Sequence, residues 1–404
     1  SIPLVKPFSI QRFGPVISST DFIFIALFAL TACCICTRQL RVPADPLYLF
    51  LLLYAAAMTV ATLVSDDPTA SKVQLFGEFY LLGLCVCTSL VVNGQNLRRV
   101  SIAWSIGTAI VCVSVLVGIV LFVAGYTRPV DNYFLFKPGS LPFLVVPRMD
   151  GLFFNPNMLC DYLNVSIALV LLALAKSWLP KLIGWGLITL ICLVSVFTFS
   201  PGLGGLLLTV GLWFSGSSPR RDPVRTLILS IAIIGAVLVF ASALASPDTN
   251  NTDQDLQIPY TTVVIEPSVR VLIWENSFQR LSGQLLFGHG VGANVAELRY
   301  TVLNGEEQFL TDAHNMWLNV LGQEGLLGLA AFALLIAAIW KRAKQSVSDN
   351  DRTLWALFCA FVGAFLYQGL TGSFEDARHL WLLVGFIGSA GRRPENGDAP
   401  GRSS

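Results

Sequence analysis

Thr311–Leu329 reads TDAHNMWLNVLGQEGLLGL and decides the fold, because it passes from a long polar loop straight into an apolar helix. Met316, Trp317, Leu318, Val320 and Leu321 carry that helix into hydrocarbon, and the run stays apolar to Trp340, long enough to cross roughly 30 Å. Thr311 or Asp312 is expected to cap the first free N–H groups, which puts His314 on the first turn, at the water boundary. A helix N-terminus repels an added positive charge while Asp312 attracts one, and a histidine held there suits a general base. The plainer alternative is a boundary histidine that hydrogen-bonds a neighbouring loop. Gly322, Gly325 and Gly328 recur every three residues and are expected to admit another helix backbone at close range. Glu324, about 15 Å along the helix from His314, is a carboxylate in apolar surroundings and must have a partner.

The rest of the chain has the same character. Of its 404 residues 54% are hydrophobic and 13% charged, and the mean hydropathy is +0.67, which excludes an ordinary soluble domain. Apolar runs of helical length without strand alternation predict an all-α polytopic membrane protein of about 11–12 transmembrane helices rather than a barrel. Eleven spans are read at 20–37, 46–64, 73–92, 100–125, 157–176, 182–199, 203–215, 224–245, 314–340, 352–371 and 377–390. The short 203–215 span follows the breaker Ser200-Pro201-Gly202, so a re-entrant segment is an open alternative there. A net charge of +1 gives no bias toward nucleic acid. The nine cysteines fall in or beside apolar runs, which argues against a disulfide framework.

Four units are expected: an N-terminal bundle, 1–245, with an external loop at 126–156; a large external loop with short helices, 246–313; C-terminal membrane helices, 314–390; and a disordered cytoplasmic tail, 391–404. If 246–313 is external, the cytoplasmic loops hold Arg38 and Arg41, Arg98 and Arg99, Lys176 and Lys181, Arg220 and Arg221, and Lys341, Arg342 and Lys344, as the positive-inside rule requires. An odd helix count then leaves the N-terminus outside beside Lys6 and Arg12. That predicts either a further membrane-associated piece within residues 1–19 or a helix upstream of the chain. Inside the long loop a helix is expected from Ser268, with Arg270, Trp274 and Arg280 among its apolar positions. Gly288-His-Gly-Val-Gly292 after it reads as a tight turn rather than a phosphate loop, which would need a strand before it and a helix after it.

On the external side the polar groups near the membrane are Arg148, Asp150, Asn155, Asn157, Asp161, Arg270, Arg280, His314, Asn315, Glu375, Asp376, Arg378 and His379. Arginines beside a candidate base at the membrane edge suit a lipid-linked diphosphate, because the planar guanidinium fork matches phosphate oxygens and stabilises a charged leaving group. Arg280, Arg299 and Arg128 taken singly read better as snorkelling or ion-paired surface residues, though Arg280 stays among the candidates.

Arg270-Val-Leu-Ile-Trp274, Leu-Leu-Phe-Gly-His-Gly-Val-Gly and His314-Asn315 running into Leu-Gly-Gln-Glu-Gly-Leu-Leu-Gly resemble the O-antigen ligase and O-antigen polymerase superfamily. Asp150-Gly-Leu-Phe-Phe-Asn-Pro-Asn157 and Arg378-His-Leu-Trp381 fit as well. The resemblance implies a metal-independent, inverting glycosyltransferase without cofactor, in the bacterial inner membrane and facing the periplasm. Its donor would be a glycan on undecaprenyl diphosphate and its acceptor a sugar hydroxyl of lipid A core or of another glycan. Arg270 then matches the diphosphate-binding arginine and His314 the activating histidine, with Arg148, Asn157, Asn315, Arg280 and Arg378 as substrate-binding candidates. One departure stands out: where many members carry an arginine after a serine, this chain has Ser200-Pro201-Gly202, and Arg148 is the expected replacement. A transporter of lipid-linked sugars is the rival from another class. It would show inverted repeats and charges at mid-membrane, where Glu78 and Glu324 are the strong cases, and no repeat is seen. A peptidoglycan-type polymerase, which relies on an external carboxylate, is the third reading.

Overall fold

The computed structural model describes residues 10–11, 16–17, 19–40, 42–93, 96–125, 136–141, 144–153, 155–216, 223–244, 256–257, 264–265, 269–301, 307–348, 351–372 and 377–390. The tail 391–404, most of 1–19, the loop start 246–253, and Arg12, Arg128, Glu375 and Asp376 lie outside the described residues. Each of the eleven expected spans is a helix: α1 (Ser19–Cys36), α2 (Pro46–Leu63), α3 (Pro68–Val91), α4 (Leu97–Val123), α5 (Pro156–Ala175), α6 (Lys181–Phe197), α7 (Gly202–Ser215), α8 (Pro223–Leu244), α10 (Met316–Ser348), α11 (Arg352–Thr371) and α12 (Arg378–Ala390). The helix expected in the long loop is α9 (Val269–Arg280). Seven of these helices are long and apolar enough to cross a membrane, and the chain is an all-α polytopic membrane protein. Strands among the described residues are confined to two-stranded hairpins in the loops, the longest pairing Phe136–Leu141 with Leu144–Met149.

Local chemistry sets the helix starts. Asp45, Asp67 and Asn155 accept backbone N–H bonds ahead of Pro46, Pro68 and Pro156, so a side-chain cap is followed by the residue best tolerated at the first helical position. α5 forms the centre, its residues from Leu159 to Ala173 all buried. Trp104 Nε1 of α4 donates to Ser166 Oγ at 2.8 Å, and Thr209 Oγ1 of α7 reaches Asn164 Oδ1 and, at 3.1 Å, the Cys359 carbonyl of α11. Polar atoms buried in the bundle thereby hold helix to helix. At the periphery Ile106, Ile110, Val113, Val117 and Val120 of α4, and Leu227, Ile231, Ile234 and Leu238 of α8, are exposed at helical spacing, as a lipid-facing surface requires.

α10 departs from its expected form. Gly325 has φ 67° and ψ −165°, a conformation essentially restricted to glycine, and it divides the helix into 316–324 and 326–348. A break inside a membrane helix frees backbone groups that hydrocarbon cannot satisfy. Here the loop after α9 satisfies them. The amides of Leu326 and Leu327 donate to the carbonyls of Leu285 (2.9 Å) and Leu286 (3.2 Å), while the amides of His289 and Gly290 donate to the carbonyls of Gly322 and Gln323, both at 2.9 Å. The seam is tight: a Cβ on Gly325 would stand 2.4 Å from the Leu286 carbonyl carbon, and one on Gly288 2.4 Å from that of Gln323. The glycine triplet therefore serves a helix break filled by a loop, not helix-on-helix packing. That close approach occurs instead between α7 and α11, where a Cβ on Gly205 would lie 2.5 Å from the Gly363 carbonyl oxygen.

Glu324, the last residue before the break, is 4% exposed and accepts from the Tyr54 hydroxyl of α2 at 2.9 Å. This is the partner its position demands. The loop is also pinned from below by the α2–α3 turn. Ser65 Oγ donates to the His289 carbonyl at 2.9 Å, and Asp66 accepts from Gln284 Nε2 at 2.9 Å and faces His289 Nδ1 at 3.3 Å. The Gln284 hydrogen bond, with the His289 contact behind it, holds the Asp66 carboxyl below the ordinary aspartate range.

Candidate active site

The expected residues form two groups, one on α9 and the start of α10 and one around Arg148 and the turn between α6 and α7. The first is built on α9 and the start of α10. Trp274 Nε1 donates to the Ala313 carbonyl at 2.9 Å, and its ring packs on the small apolar cluster of Val295, Ala313 and Leu318. Arg270 lies one helical turn before Trp274 on the same face of α9, the helix that Trp274 tethers to the residue before His314.

His314 does not sit on the first turn of α10, as its spacing predicted. The helix starts at Met316, and its cap is Asn315, whose Oδ1 accepts from the amides of Trp317 (3.0 Å) and Leu318 (3.2 Å). An Asx residue directly before the helix outcompetes Thr311 and Asp312 for that role. Asn315 was expected to bind substrate, and its side-chain oxygen is committed to the cap. Asp312 ties the preceding turn instead. It accepts from the His314 amide and from Asn319 Nδ2 at 3.0 Å, and Asn319 Oδ1 accepts from the Ala313 amide at 3.0 Å. His314 is thus held in the left-handed region, φ 48°, with its ring 43% exposed and Nδ1 3.6 Å from Asp312 Oδ1. A left-handed non-glycine residue costs on the order of 1 kcal/mol, and the hydrogen bonds of Asn319 and Asp312 maintain it.

The second group is built on Arg148. Its Nη2 donates to Asn157 Oδ1 at 3.1 Å, on the first turn of α5, and its Nε donates to the Thr198 carbonyl at 3.3 Å, at the end of α6. The guanidinium therefore reaches the turn that holds Ser200-Pro201-Gly202. On α11 the Tyr367 hydroxyl is placed to hydrogen-bond the Ser200 side chain. Tyr367 is 2% exposed and Ser200 4%. Behind Tyr367, Asp161 Oδ2 accepts from Gln368 Nε2 at 2.7 Å and contacts His379 Nε2 at 2.8 Å, all three side chains buried.

Arg280 and Arg378 are placed differently. Arg280 Nη1 pairs with Glu297 Oε2 at 3.1 Å near the surface, ten residues along α9 from Arg270. Arg378 opens α12 and lies over the Tyr80 ring at 6.0 Å. Arg299 likewise stacks on Phe309, at 5.5 Å. The residues not foreseen as part of the site are Tyr367, Gln368 and Asn319. Each is a single polar residue inside an apolar helix, and that interruption was the only signal the sequence carried.

No curated protein matches this chain. A family model described as O-antigen ligase matches residues 186–333, from α6 through α9 and the broken α10, and so covers Arg270 and His314. Over that segment, which includes the stretch where the resemblance is most specific, the chain is similar to the O-antigen ligase family.

Proposed function

We propose that the protein is a glycosyltransferase of the O-antigen ligase type, carrying a glycan from undecaprenyl diphosphate to a sugar hydroxyl of lipid A core or of another glycan. It works from the bacterial inner membrane with its site facing the periplasm. The observation that supports this reading is the tether of α9, which carries Arg270, to the residue before His314, with Arg148 reaching the Thr198 carbonyl two residues before Ser200.

In the reaction His314 takes the proton of the acceptor hydroxyl. The oxygen attacks the anomeric carbon, and the bond to the diphosphate oxygen breaks on the opposite side, which inverts the centre. Asp312 balances the charge the imidazole gains. Arg270 and Arg148 hold the charge that builds on the leaving diphosphate, a task that guanidinium groups perform without a metal ion. Activity should therefore survive chelation, and turnover lost in EDTA and restored by magnesium would contradict the mechanism. A polymerase differs only in taking a second lipid-linked glycan as acceptor.

The deciding experiment separates donor binding from transfer. Arg270→Lys keeps a charge but loses the fork and should weaken both. His314→Ala should bind lipid-linked donor almost normally and transfer it about 10²- to 10⁴-fold more slowly in a single turnover, the usual contribution of a general base. Wild-type transfer by His314→Ala would overturn the assignment.

A further inference from the structure

At the end of α2 and α10 remote from His314 the two helices part around a cavity of about 420 Å³. α2 and α10 run antiparallel: Ser65, after α2, bonds the loop that fills the α10 break, while Asp45, before α2, pairs with Arg342 near the far end of α10. The walls are apolar, with Leu47 and Phe50 from α2 and Leu334 and Ala338 from α10, and Leu334 is 51% exposed toward the surroundings of the bundle. Leu334, Ala337, Ala338 and Lys341 follow one another along one face of the helix, so the lysine stands at the mouth of the same stripe.

The charges at that mouth do not cancel. Asp45 is already used: Oδ1 caps α2 at the Leu47 amide, 3.0 Å away, and Oδ2 binds Arg342 Nη1. Arg342 Nη2 donates to the Gly388 carbonyl at 2.6 Å. Its Nε is buried and has no hydrogen-bond partner among the described residues, and the side chain lines the cavity. Lys341 is exposed beside it. One carboxylate against two cations leaves a positive mouth, with an orphan donor beside it, above an apolar slot that opens toward lipid. Basic pockets between membrane helices are built this way to take phosphate headgroups.

We propose that this groove binds one anionic phospholipid, with an acyl chain against Leu47, Phe50, Leu334 and Ala338 and the headgroup at Lys341, in the positive field of the Arg342 side chain that lines the groove. The test is native mass spectrometry of the full chain in detergent, titrated with phosphatidylglycerol or phosphatidylcholine. The expected result is one retained phosphatidylglycerol, bound at least about fivefold more tightly than phosphatidylcholine, the worth of one lysine near an anionic headgroup. Lys341→Gln should erase that preference, whereas Lys344→Gln, exposed at the same end but outside the groove, should keep it. Ala338→Trp should fill the slot and lose both lipids. If that variant does not fold, the comparison of the two lysine variants decides alone. The proposal is overturned if Lys341→Gln matches wild type, if Lys344→Gln has the same effect as Lys341→Gln, or if glycerol phosphate without acyl chains displaces the lipid.

Discussion

At the scale of single residues, Arg148 carries the sharpest consequence. Its guanidinium touches the Thr198 carbonyl, two positions before Ser200, so a cation from the loop before α5 reaches the turn between α6 and α7. Arg148→Lys removes the planar fork and leaves Asn157 and the Thr198 carbonyl without its directed donors. It should reduce donor affinity by about tenfold or more with little effect on folding. Donor binding equal to wild type would show that Arg148 only braces the turn. A companion variant, Pro201→Arg, should restore part of the loss if the site needs a second cation there. In the sequence Arg270 is marked by its resemblance to a family motif and His314 by its place just before an apolar helix. Tyr367 and Asn319 carry no such mark. Tyr367 meets Ser200 of a distant turn, which nothing in its own segment encodes, and Asn319 meets Asp312 seven residues before it, a pairing that exists only once the turn ahead of α10 has folded.

At the scale of elements, the spans were legible because length and apolarity alone decide them, and the helix starts were nearly so because Asp or Asn before proline announces a cap. The break in α10 was hidden. Glycines three apart read equally as a packing face or as an interrupted helix, and only the carbonyls of Leu285 and Leu286, supplied from about forty residues earlier, choose between them. Gly325→Ala tests the choice. A side chain there meets both a disfavoured backbone conformation, worth about 1–3 kcal/mol, and a contact of 2.4 Å with backbone. The expected outcome is a clearly lowered apparent Tm together with increased proteolysis of the 284–292 loop. Gly186→Ala, in α6 with open space around it, should be nearly neutral. Equal behaviour of the two variants would contradict the role assigned to the break.

At the scale of the whole molecule, the positive-inside rule predicts the orientation of the bundle, and the antiparallel packing of α2 on α10 says which ends belong together. Gln279, exposed on α9, and Lys344, exposed past the far end of α10, should lie on opposite sides of the membrane. In a chain stripped of its nine native cysteines, Gln279→Cys should react with an impermeant maleimide added outside intact spheroplasts and Lys344→Cys should not. The reverse pattern would invert the orientation and with it the proposed periplasmic site. The order of helix neighbours, with α5 at the centre and α7 against α11, was not legible. In a membrane every helix is apolar all round, so hydropathy does not distinguish the face that meets protein from the face that meets lipid.

The interrupted α10 also constrains how the chain can be made. The loop that closes the interruption is synthesised before the helix it closes, and it has to be waiting on the far side when the helix arrives. Until then at least four backbone groups would stand without partners, each at a cost of several kcal/mol wherever water is kept out. Insertion of this helix and docking of the loop are therefore one event during biogenesis. A ribosome-bound chain released before residue 326 would carry His314 on a segment that has no stable place to stop.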